Sequence, residues 1–94
     1  SIDSYSDFIA LYPKNAQVPQ AKEQIRVMKV EQARGNLKVA RYYEKRGEWA
    51  GANVYYNEVK DLAPGTEYAE IALQKIADLK PRFDAEKAPE AQPQ

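Results

Sequence analysis

The 94-residue sequence has no cysteine, no histidine, only four glycines and no long apolar run. Without cysteine there is no disulfide, no thiolate nucleophile and no thiolate zinc site. Without histidine the usual general base, proton shuttle and imidazole metal ligand are missing as well. Gly35, Gly47, Gly51 and Gly65 fit neither a phosphate loop nor a dinucleotide fingerprint. Ser1, Ser4 and Ser6 sit in no nucleophile elbow. The longest apolar run, Phe8-Ile9-Ala10-Leu11-Tyr12, is far too short to span a bilayer. The expectation is a protein that is not an enzyme, with no cofactor and no metal site.

What is present is helical periodicity. Ile2, Tyr5, Phe8, Ile9 and Tyr12 mark an amphipathic helix over 2–12, stopped by Pro13. This helical face starts at once, so the chain reads as a fragment whose signal or anchor would lie upstream. Asn15 is a candidate N-cap for the next helix, and Pro19 fits its first turn. Residues 17–46 are helical in pattern, with Gly35-Asn36 the single weak point, so one long helix and a kinked pair are both allowed. Gly47 ends that segment. Residues 48–62 form a third helix, with Glu48 at its positive end. Pro64-Gly65 is a turn, Thr66 caps a fourth helix, and Pro81 is expected to stop or kink it. The division is a helical repeat domain over 1–84 and a polar, Pro-containing tail over 85–94, expected to be disordered.

The equal totals, 14 basic and 14 acidic residues, hide a segregation. Residues 1–17 carry one basic and two acidic side chains, 18–46 eight and three, and 47–94 five and nine. The long helix is therefore basic and the later helices acidic. Nothing in this balance, and no aromatic-plus-basic motif, points to nucleic acid.

The chain also repeats itself. At an offset of 51, Tyr5 meets Tyr56, Phe8 meets Val59, Leu11 meets Leu62, Pro13 meets Pro64, Ala21 meets Ala72 and Ile25 meets Ile76. Each block is a helix end, a proline turn and the next helix start, which is the signature of an α-solenoid. The fold expected is all-α, a helix-turn-helix solenoid of about four helices, one of them elongated: a partial repeat, one full extended repeat and a following helix.

Between the two prolines, Ala40, Tyr43, Ala52, Tyr56 and Pro64 follow in the order and spacing of a tetratricopeptide repeat. Asn36 and Val59 depart from it, standing where that family often has Trp and Ala. The 51-residue offset exceeds the ordinary period of about 34. With DFIALYPKNAQVPQAKEQI (7–25), VARYYEKRGEWAGAN (39–53) and NEVKDLAPGTEYAEIAL (57–73), the chain resembles the BamD family, also called YfiO or ComL. The resemblance implies the later repeats of a lipoprotein of the outer-membrane β-barrel assembly machine. It implies a periplasmic site at the outer membrane and membrane attachment only through an upstream lipid anchor. It further implies protein subunits as partners, with docking on the barrel-forming subunit. The alternative is a tetratricopeptide module that holds an extended peptide in its groove. A homodimer through the exposed repeat end at helix 2–12 is a further expectation.

Two patterns supply candidate contact residues. Lys22, Arg26, Lys29, Arg34, Lys38, Arg41 and Lys45 recur at helical spacing, as a face for an acidic partner or as a solvated face covering apolar surface. Adjacent tyrosines diverge by about 100° on a helix, so if Tyr43 and Tyr56 are core, Tyr42 and Tyr55 look elsewhere. Tyr55 is preferred as a contact, because Asn53, Lys60 and Asp61 share the outer side assigned to its helix. The candidate set is Lys38, Arg41, Tyr42, Lys45, Asn53, Tyr55 and Lys60. Trp49 is read as closing the inter-helix turn, Glu44 and Glu48 as surface acids, and Asp78 with Arg82 as an ion pair.

Overall fold

The computed structural model describes residues 2–87. It consists of α1 (Ile2–Leu11), α2 (Val18–Lys45), α3 (Trp49–Leu62) and α4 (Glu67–Lys87), with no strand among the described residues. The helices stack in chain order into an elongated body of 63 × 26 × 18 Å. The tetratricopeptide-like architecture expected from the sequence is what the chain adopts.

Local chemistry sets the boundaries. Gly47 has φ 73°, its N–H bonds Glu44 O at 3.0 Å, and Glu48 N–H bonds Tyr43 O at 3.0 Å. This paired closure ends α2 and turns the chain into α3. Thr66 Oγ1 accepts from Ala69 N–H at 3.3 Å, with Glu67 and Glu70 in the first turn of α4. α2 runs unbroken through Gly35.

Three expectations change. Asn15 does not cap α2: its Oδ1 accepts from Gln17 N–H at 2.8 Å, and Gln17 itself holds the cap position. Pro81 does not end α4, which continues to Lys87. The turn beyond the proline is anchored instead. Glu86 Oε1 accepts from Ala50 N–H at 2.6 Å, and the Arg82 guanidinium lies 5.0 Å from the Trp49 ring. These contacts offset the hydrogen bond that proline cannot make. Residues 85–87 thus belong to α4 rather than to a tail, and 88–94 lie outside the described residues. Arg82 on Trp49 also replaces the Asp78–Arg82 pair, and Asp78 accepts from Gln74 Nε2 at 2.9 Å.

The core joins α2, α3 and α4. Ala33 and Ala40 of α2, Ala52 of α3 and Ala72 of α4 are fully buried, so the backbones approach closely. Tyr56 and Val59 fill the space between them, with Leu37, Ala63 and Leu79 around. Val18 and Ala21 are buried at the other end, where α1 lies on the N-terminal half of α2.

Candidate interaction surface

α2 changes the face it buries. In its N-terminal half Val18 and Ala21 point inward; in its C-terminal half Ala33, Leu37 and Ala40 do. At about 100° per residue these two faces lie roughly a quarter of a turn apart. The basic residues follow the same rotation. Lys22, Arg26 and Lys29 form one patch, and Arg34, Lys38, Arg41 and Lys45 a second, about 120° further round. The single stripe suggested by spacing is two patches. In the first, Arg26 is tied to Glu23 at 2.6 Å; in the second, Arg34 is tied to Glu31 at 2.6 Å. Lys38 and Lys45 are exposed and make no ion pair among the described residues.

The tyrosines beside this second patch form a ladder. Tyr42 is 56% exposed, edge-on to Tyr43 at 5.5 Å, with the Arg46 guanidinium 5.4 Å from its ring. Tyr43 stacks on Tyr55 at 5.6 Å with an interplanar angle of 14°. Gly51 leaves room for this stack, since a Cβ there would meet the Tyr43 ring at 3.0 Å. Tyr55 is half-buried and packs on the core, so the exposed ring is Tyr42. The neighbour of Tyr55 is the α2 ring rather than solvent.

The seven candidates therefore do not share one surface. Lys38, Arg41, Tyr42 and Lys45 lie together on α2. Asn53 and Lys60 sit half-buried on one flank of the buried α3 stripe, and Tyr55 on the other. Lys60 pairs with Asp61 at 3.2 Å, and Asn53 O accepts from Asn57 Nδ2 at 2.8 Å.

Sequence reasoning missed the junction under the α2 patch. Glu44 Oε1 accepts from the Tyr56 hydroxyl at 2.6 Å, and Glu44 Oε2 pairs with Lys75 Nζ at 2.9 Å. One carboxylate so ties α2 to both α3 and α4. Burial works to raise the Glu44 carboxyl, but the bonds from Tyr56 and Lys75 and the charges of Lys75 and Arg41 together hold it below the ordinary range. Burial, then the Glu44 carboxylate, push the Tyr56 phenol up. Glu44 is thus an inter-helix tie rather than a surface acid, while Glu48 pairs with Arg46 at 2.9 Å. The missed signal was periodic: Glu44 continues the inward register of Ala33, Leu37 and Ala40.

The second patch thus places Lys38, Arg41, Lys45 and the Tyr42 ring on the exposed side of α2, with the Glu44 tie on its inward side. Among the described residues no group of acidic side chains is arranged to hold a metal ion, and no helix is long and apolar enough to cross a membrane. No curated protein and no solved structure matches the chain. The sequence model of the YfiO family, described as an outer membrane lipoprotein, matches residues 1–93. That description fits a periplasmic, outer-membrane-associated setting. With nearly the whole length matched and the helical repeat architecture in place, the chain belongs to the YfiO (BamD) family of outer membrane lipoproteins.

Proposed function

We propose that the chain is a non-catalytic docking scaffold of the outer-membrane assembly machinery, and that it engages the barrel-forming subunit through the C-terminal half of α2. The observation that carries this reading is the exposed face on which Tyr42, with Arg46 over its ring, borders Lys38, Arg41 and Lys45, while Glu44 on the inward side holds α2 to α3 and α4. Such a face steers an acidic partner by its charge and gives it a flat aromatic anchor. Rigid backing matters because ordering a mobile surface would cost affinity. Family membership supports the cellular setting.

The test is co-purification of the barrel-forming subunit with the Arg41→Glu, Tyr42→Ala double variant. Both side chains are exposed, but the Arg41 charge also faces the Glu44 tie, so far-UV circular dichroism and the Lys38→Glu, Tyr42→Ala variant, which leaves Arg41 in place, separate lost docking from a loosened fold. The expected outcome is loss of most of the recovered partner, with the parent complex weakening as salt rises. Unchanged recovery at low salt sinks the docking face.

A further inference from the structure

α3 is capped by a side chain from another helix. Glu48 holds its N-cap position with φ −92° and ψ 83°, a non-helical backbone as a capping residue has, yet its carboxylate makes no cap bond. A capping side chain accepts from the N–H two or three residues on. The first of these, Ala50 N–H, donates to Glu86 Oε1 at 2.6 Å instead. The Glu48 carboxylate turns the other way. Its Oε2 accepts from Arg46 Nε at 2.9 Å, and the Arg46 guanidinium lies 5.4 Å from the Tyr42 ring centre. Bound to Arg46, Glu48 does not cap, so the two tasks are alternatives for this side chain. A contact made by the end of α4 thus leaves Glu48 to hold Arg46 over the exposed ring of α2.

The turn that carries Glu86 is lightly held. Pro81 cannot donate to the helix behind it, and residues 82–86 are exposed or half-buried. Glu86 ties this turn to α3, and so does Arg82, 5.0 Å from the Trp49 ring. Segments held by few exposed contacts open well below the free energy of global unfolding.

We propose that Glu48 and Glu86 exchange at the N-terminus of α3, so that the last turn of α4 sets the state of the Tyr42 face. With the turn docked, Glu86 caps Ala50 and Glu48 holds Arg46 beside Tyr42. With the turn released, Ala50 N–H loses its acceptor and Glu48, already at the N-cap, swings to it. Arg46 then loses its counter-charge and leaves the ring. The two states are close in energy, because one carboxylate replaces another at Ala50. The contacts given up, the exposed Arg46–Glu48 pair and the Arg82–Trp49 stack, are each of small net value. Where Tyr42 is a docking residue, as proposed above, a partner that takes Glu86 or covers Trp49 weakens docking at Tyr42. By reciprocity, docking that holds Arg46 in place keeps the α4 turn closed.

The exchange is read without any partner, by NMR of the isotope-labelled 94-residue chain. Glu86→Ala should move the Tyr42 ring and Arg46 Nε–H signals, although the bond removed is to Ala50. Glu48→Ala should move them too, and adding Glu86→Ala to it should move them no further. Stability gives a second readout. Each single variant keeps one carboxylate at the α3 N-terminus, so its folding constant should fall only about twofold. The double variant keeps neither and should fall roughly fivefold beyond the product of the singles, the worth of one cap. Tyr42 and Arg46 signals unmoved in Glu86→Ala, or stability losses that simply multiply, overturn the exchange. Co-purification of the barrel-forming subunit tests the docking reading separately. Glu86→Ala should lower its recovery, whereas moved Tyr42 signals with undiminished recovery uphold the exchange and strike the docking face.

Discussion

The two halves of the repeat share a template and differ in what lies on top of them. In the second, α3 and α4 carry the C-terminal half of α2, and Tyr56 is 0% exposed. In the first, α1 rests on the N-terminal half of α2, and Tyr5, at the position of Tyr56, is only half-buried. Equivalent side chains thus have different burial because of their neighbours. In a stacked helical array the energy of a side chain belongs largely to the interface between units. The sharpest way to break this comparison is to truncate the equivalent tyrosines. Tyr56→Ala should cost about 3–5 kcal/mol in urea unfolding, as for a fully buried aromatic ring. Tyr5→Ala should cost roughly 1 kcal/mol or less, since partial burial leaves little transfer energy to lose. Equal losses would show that the α1 face is already covered in solution.

The second difference is polar. Glu44 with Tyr56 and Lys75 ties three helices, and in the first block Gln24 stands at the Lys75 position. Glu44→Ala leaves the buried Tyr56 hydroxyl without its acceptor and should cost about 1–3 kcal/mol. The pH dependence follows from the lowered Glu44 carboxyl. Its stabilisation is full above the unfolded carboxylate value and fades as pH falls through the depressed folded value, because the unfolded chain then binds the extra proton. Acid unfolding of Glu44→Gln should therefore show a shallower loss over that range than the parent. Superimposable pH profiles would remove the charged junction from the account.

How much of this was legible in the sequence depends on how local each cause is. Pro13, Gly47, Pro64 and Thr66 act within a turn of the chain, and the helix ends fall where those residues put them. Pro81 does not stop α4 because its penalty is local but its compensation is not: Glu86 and Arg82 reach α3. Spacing on α2 gave a basic face but not its division, since the rotation of the buried face comes from exchanging α1 for α3 as neighbour. The 100° between adjacent tyrosines said that Tyr42 and Tyr55 diverge from their core partners. It did not say that the Tyr43 ring waits beside Tyr55. Glu44 was recoverable from its register, but a carboxylate in an inward position reads as an exception until its two partners are seen.

The smallest expected effect tests whether the two halves are coupled at all. α2 belongs to both, and Gly35 lies just past Ala33, where the buried face of its C-terminal half begins. A Cβ at Gly35 would meet nothing within 4 Å. Gly35→Ala should therefore stabilise by about 0.5–1 kcal/mol through the lower backbone entropy of the unfolded chain. At Gly51 the same propensity gain is opposed by the Tyr43 ring, so Gly51→Ala should gain less or lose. If α2 is one cooperative rod, amide exchange in Gly35→Ala slows both in its N-terminal half beside α1 and in α3. Slowing confined to the α3 side would mean that α2 breaks near Gly35 on opening. The contrast between the halves would then be one of separate folding units rather than of neighbours on a shared helix.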